Sequence, residues 1–349
     1  MAKDSFWDLQ VDSTFKPGRL AQITPAMHTI ADKCLNVNPG EKYAIITDTE
    51  TSPLLTNLMA GMIAAYGAEV VQVTIPQLPY PSAEPSDMAG AAMNEADVFI
   101  NMCTRTISHT EVRNEAQYEH DSDYFLLPAQ TEDSFIRGSI TADPYEVRKR
   151  TEAVTEALDD AREVHVESDD GTDVTFSLEG RPPKMSQAFL EEEKGTGAIA
   201  TWPSGETPVL PIHEGMNGTV VVDSFMMGVG LLEDPIIWEI EDGTITSIEG
   251  GDDAKELQRI IDEKGDENSY KIGEFSVGTN PNARVMGKPF EDKEVEGSVH
   301  FALGTGIYYP PYYEPDYRSS LHLDGVLNAP TITVDGERIV DEGSILIYD

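Results

Sequence analysis

Cysteine is nearly absent from these 349 residues: Cys34 and Cys103 are the only two, and they stand far apart. A chain this long needs no covalent staple, so a disulfide framework is excluded and both thiols are expected to be reduced and buried. Basic residues are also scarce, with 24 Lys and Arg against 63 Asp and Glu and a formal net charge of -39. Such a field repels phosphate backbones and anionic lipid surfaces, which argues against nucleic acid or a membrane as partner. Apolar runs approaching the roughly twenty residues of a membrane span are missing. Met1 to Gln10 is polar and acidic rather than a leader, so the expectation is a cytoplasmic protein. No G-x-G-x-x-G or Walker sequence occurs, and no nucleotide is assigned.

What is abundant is carboxylate, spread from Asp4 to Asp349 rather than gathered in a tail. Acids distributed in this way, with few lysines, keep a surface hydrated in high salt, where self-repulsion is screened over a few ångströms. The composition is that expected of a halophile. The thermal midpoint should therefore climb by about 4–8 °C, the shift a few kcal/mol produces in a large domain, between about 0.1 M and about 1 M KCl. A melting curve indifferent to salt over that range contradicts the reading.

Length and a 40% apolar content predict two domains with real cores. The expected fold class is α/β and α+β: an open parallel α/β domain over 1–140, a connecting helix over 141–162, and a mostly antiparallel α+β domain over 163–349. In the first part, helical spacing runs from Pro25 to Leu35 and from Ser52 to Tyr66, with strands at Tyr43 to Ile46 and Ala68 to Ile75, which makes a βαβ unit. Further strands are expected at Val98 to Met102 and Tyr124 to Pro128, and His109 follows the first of these, where open parallel sheets place ligands. Beyond Val164, short alternating strands and turns at Asp169-Asp170-Gly171 and Asp242-Gly243 read as hairpins, interrupted by a helix from Asp252 to Lys264.

The stretch Ser320-Leu321-His322-Leu323-Asp324-Gly325 is organised as a strand whose leucines face one way and whose His322 and Asp324 face the other. Three more segments of the second domain present metal-ligand types beside apolar or glycine-bounded sequence. Trp202-Pro203-Ser204-Gly205-Glu206 presents Glu206, Gly273-Glu274-Phe275 presents Glu274, and Val299-His300-Phe301 presents His300. An unpaired charge in such a segment is costly, and the mixed nitrogen and oxygen set suits two divalent ions bridged by a carboxylate.

At these residues the chain resembles the aminopeptidase T family of thermophile-type leucyl aminopeptidases. The shared pieces are Pro203-Ser204-Gly205-Glu206, Gly273-Glu274-Phe275 with Gly278-Thr279-Asn280-Pro281, Val299-His300-Phe301-Ala302-Leu303-Gly304, and His322-Leu323-Asp324-Gly325. The resemblance implies a metalloaminopeptidase that removes N-terminal residues from small peptides. Two divalent ions (Zn, Co or Mn) would be held by Glu206, Glu274, His300, His322 and Asp324, in a homodimer. It also implies Glu274 as proton shuttle and a tyrosine, Tyr308 or Tyr309, on the oxyanion. The same superfamily contains 2,5-dihydroxypyridine dioxygenase, a ring-cleaving iron enzyme. The chain shares with it the short first domain, the Trp202-Pro203-Ser204-Gly205 turn and a histidine like His109. His300, His322 and Asp324 alone could make its two-His-one-carboxylate Fe(II) site. Glu274 stands where the dioxygenase has an iron-binding histidine, Thr201 where it has another histidine, and Glu206 where it has an apolar residue, so the expectation favours the peptidase.

Overall fold

The computed structural model describes residues 17–108, 110–190, 194–307 and 317–348. Its first sheet is entirely parallel. Lys42–Asp48 has the edge strand Glu69–Ile75 on one side, and Val98–Asn101, Asp123–Leu126 and Ile199–Thr201 follow in order on the other. The expected βαβ unit is present, with Pro53–Ala65 as its crossover helix. Successive residues of the inner strands feed cores on opposite faces: Ile45, Val98, Ile100 and Phe125 pack on one, Ala44, Ile46, Phe99 and Tyr124 on the other. Burial on both faces explains why these strands read as unbroken apolar runs. The expected helix from Pro25 starts earlier, spanning Pro17–Thr29 and continuing as a π turn through Ile30–Cys34, so Pro25 lies inside it. Cys34 and Cys103 are both buried and free.

After the helix Pro144–Leu158 the chain builds two antiparallel sheets. The larger has eight strands, with Ile212–Val222 and Asp173–Ser177 near its centre. The smaller has five, of which Ile272–Val277, Val299–Gly304 and His322–Leu327 are consecutive neighbours. The sheets pack face to face over one core, where Phe176 of the larger meets Phe275 and Phe301 of the smaller at centroid distances of 4.8 and 5.9 Å. Aromatic pairs at such edge-on angles gain beyond their buried area. Gly325 has its role here rather than at a ligand. A Cβ on it would meet Trp238 Cη2 at 2.9 Å and Val222 Cγ2 at 2.8 Å, so its absence lets the other sheet close against the strand.

The α/β and α+β classes are thus both present. Ile199–Thr201 links them, because its C-terminal end, at the edge where parallel sheets open toward ligands, runs directly into the Trp202 to Glu206 turn. Among the described residues no helix is long and apolar enough to cross a membrane.

Candidate metal centre

Cross-strand pairing sets the site. Ser276 faces His300, which faces Val326; one pair along, Glu274 faces Ala302, which faces Asp324; and Gly304 faces His322. Since alternate side chains share a face, Glu274, His300, His322 and Asp324 all leave the smaller sheet on the side opposite Phe275, Phe301 and Leu323. A register irregularity between Ile272 and Glu274 leaves Gly273 as the extra residue, a device that re-aims the side chain that follows it. Ala302, fully buried between the two carboxylate positions, contributes only a methyl and leaves room between them.

Glu206 arrives from the turn that follows Ile199–Thr201, the last strand of the parallel sheet. Buried Trp202 anchors its turn by donating from Nε1 to the Ile140 carbonyl at 3.2 Å, and Glu206 pairs with Gly278 in an antiparallel bridge. Gly205 sits at φ +133°, and a Cβ there would fall 2.9 Å from the Asn280 nitrogen, so no other residue fits. Thr279 N–H closes the turn on the Gly205 carbonyl at 2.7 Å.

The five expected ligands therefore converge. Glu274 is central: its Oε1 is 3.0 Å from His300 Nε2 and its Oε2 3.3 Å from His322 Nε2. His322 Nε2 is also 3.3 Å from Asp324 Oδ1, and His300 Nε2 is 3.8 Å from Glu206 Oε2. Glu206, Glu274 and His300 offer ligand atoms all within 4.8 Å of one another. The hydrogen bonds make the case chemically. His322 Nδ1 donates to the Thr305 carbonyl at 2.9 Å, which leaves Nε2 of the neutral ring as a lone pair facing two carboxylates. Acceptors facing acceptors require a cation, a proton or a metal ion. Asp324 Oδ1 is buried and makes no well-formed hydrogen bond among the described residues, with His322 Nε2 its neighbour at 3.3 Å.

Burial opposes charge on Glu274, His322 and Asp324, and their neighbours outweigh it. Burial alone would raise the Glu274 carboxyl, yet His300 and His322 hold it well below the usual carboxylate range. Burial would likewise lower His322, but Asp324 and Glu274 push its imidazole well above the usual value. Asp324 is lowered against its burial by His322 beside it and by Lys293. At Glu294 burial prevails, joined by the charge of Glu206, and raises the carboxyl well above its usual range.

Lys293 is the member that sequence reasoning missed. In Glu291-Asp292-Lys293-Glu294 it reads as part of a solvated charge run, but Glu291, Asp292 and Glu294 are 3%, 0% and 2% exposed. Its Nζ donates to Glu206 Oε1 at 3.1 Å and lies 2.9 Å from Oε2. Burial works against its charge, but Glu206, Asp324 and Glu274 raise its pKa. The remaining expected residues, Tyr308, Tyr309 and His109, lie outside the described residues.

Comparison with known proteins selects between the two resemblances. The family model described as NicX, 2,5-dihydroxypyridine 5,6-dioxygenase, matches residues 23–347. A 2,5-dihydroxypyridine 5,6-dioxygenase of Pseudomonas putida is 24% identical over 353 aligned residues, covering 93% of this chain and 96% of the relative. The solved structure of 2,5-dihydroxypyridine dioxygenase from Pseudomonas putida superposes with a TM-score of 0.76 at 21% identity, covering 93% and 97% of the two chains. AmpT from Thermus thermophilus superposes at 0.70 with 16% identity, covering 94% and 99%, so the likeness to aminopeptidase T holds for the fold.

The expectation of a hydrolytic aminopeptidase is overturned by these matches: the family-level match, over nearly the whole chain, is to the dioxygenase. Weight placed on Glu206, Thr201 and Glu274 misled it, because a ligand set read residue by residue ignores what else enters the site, here Lys293 on Glu206. Two histidines with carboxylates serve oxygenase iron as well as hydrolytic zinc. With its family model matched from residue 23 to residue 347, this chain belongs to the 2,5-dihydroxypyridine 5,6-dioxygenase family of enzymes.

Proposed function

We propose that this chain is an iron-dependent dioxygenase that opens an electron-rich, hydroxylated pyridine ring, with 2,5-dihydroxypyridine as the first substrate to test. One ferrous ion would be held by His300, His322 and Glu274, with Asp324 beside them. The observation that carries the metal centre is the convergence of His300 and His322 on the carboxylates of Glu274 and Asp324, with His322 Nε2 aimed at both by the bond from Nδ1 to the Thr305 carbonyl. Family membership carries the reaction class.

Bound ferrous iron supplies the redox chemistry by which both atoms of dioxygen enter a ring. The protein's own part is orientation and exclusion of water. Glu274 reaches both imidazoles and fixes their spacing. Thr305 fixes the tautomer of His322. His300 is fully buried, whereas the His322 side chain is 32% exposed, so the ring approaches from the His322 side.

The reaction is tested by loading the protein with Fe(II) under argon, admitting oxygenated buffer with 2,5-dihydroxypyridine, and following oxygen consumption beside ring absorbance. One oxygen consumed per ring lost supports the proposal. No uptake by protein shown to contain iron, with this or other dihydroxypyridines, would end it.

The space above Ala302 gives a second check on the centre. Ala302→Val keeps a good strand former but fills the gap between Glu274 and Asp324. Divalent-metal affinity measured by titration calorimetry should fall about 10–100-fold, the range seen when a ligand's support is disturbed. The fold should lose no more than about 1–3 kcal/mol.

A further inference from the structure

Glu206 belongs to the ligand cluster by position, yet its carboxylate already has a cation. Lys293 Nζ reaches both of its oxygens, at 3.1 and 2.9 Å, and the two side chains are only 16% and 13% exposed. The lysine is held there by its backbone. Asp292 accepts N–H groups from Met286, Gly287 and Lys288, Glu291 accepts from the amide and hydroxyl of Ser139, and the Glu294 carbonyl accepts from Asn280 N–H at 2.9 Å. A divalent ion on Glu206 would sit about 2 Å from the same oxygens. It would then crowd an ammonium group in a site with little water to screen the repulsion. Buried carboxylates of this kind, without a lysine, suit two ions.

We propose that Lys293 is a built-in cation occupying the place of a second metal ion, so that this five-residue cluster takes one divalent ion instead of two. The inference rests on the metal centre proposed above but not on its reaction. It assigns Lys293 as a positioning residue that sets metal stoichiometry.

Equilibrium titration of the metal-free full chain with Mn(II), read by electron paramagnetic resonance, tests it. The wild type should stop at one ion per chain with the spectrum of an isolated ion. Lys293→Met should take two, with an exchange-coupled spectrum. Lys293→Gln, which keeps an N–H donor toward Glu206 while removing the charge, guards against a failure to fold and should also take two. The double variant Lys293→Met, Glu206→Met should return to one. A wild type that binds two ions or none overturns the proposal, and so do single variants that both stop at one. Correct stoichiometries without oxygen uptake would leave this inference standing and remove only the proposed reaction.

Discussion

Glu274→Ala empties the metal centre: in metal analysis of protein equilibrated with Fe(II) or Mn(II), the ion retained by the wild type is absent from the variant. Among the described residues Glu274 alone touches both imidazoles, at 3.0 and 3.3 Å, and it is 5% exposed. Its removal leaves His300 and His322 without the group that sets their spacing, and Asp324 cannot replace it from the far side of Ala302. Loss of an outer partner alone costs about 10–100-fold in affinity, so loss of this shared carboxylate should exceed about 100-fold. Ring-opening activity should vanish with the ion. A variant that keeps one tightly bound ion per chain places the centre elsewhere.

Phe301→Ala should be the most damaging change in the core, at about 3–5 kcal/mol by urea denaturation. The ring is fully buried, 5.3 Å from Phe275 in its own sheet and 5.9 Å from Phe176 across the sandwich. Deleting it opens a void at the contact that holds the two sheets together, where close packing leaves little slack for collapse. Because Phe301 lies between His300 and Ala302, its loss should also loosen metal binding. A cost below about 1 kcal/mol would mean that the sheets do not depend on this cluster.

The legible parts of the fold were those in which local pattern and tertiary role agree. Tyr43 to Ile46 and Val98 to Met102 read as buried strands because both of their faces are covered. Asp252–Lys264 read as a helix because Leu257, Ile260 and Ile261 share the stripe that packs on the larger sheet. Ile199–Thr201 was not legible as the fifth parallel strand, since three residues cannot show a period and the pairing with Asp123–Leu126 is made across a long separation. Pro25 misplaced a helix start, since proline favours first turns yet here lies inside Pro17–Thr29.

At the site, all five ligand candidates stood out because each carries charge or imidazole within apolar or glycine-bounded sequence, where burial is expected. Lys293 did not, because three acids around it make a surface run by composition and a buried one in space. The chemistry followed the same divide. Ligand types could be read from the chain, but the occupancy of Glu206 by an ammonium group is a contact between residues 87 positions apart.

One arrangement in the smaller sheet bears on how such a protein changes over time. The candidate ligands leave one side of Ile272–Val277, Val299–Gly304 and His322–Leu327, and the residues that hold the sandwich together leave the other. Exchange on the first side therefore costs the second little. A lineage can trade a histidine for a glutamate, or admit a lysine, and alter its catalytic repertoire while the scaffold stays intact.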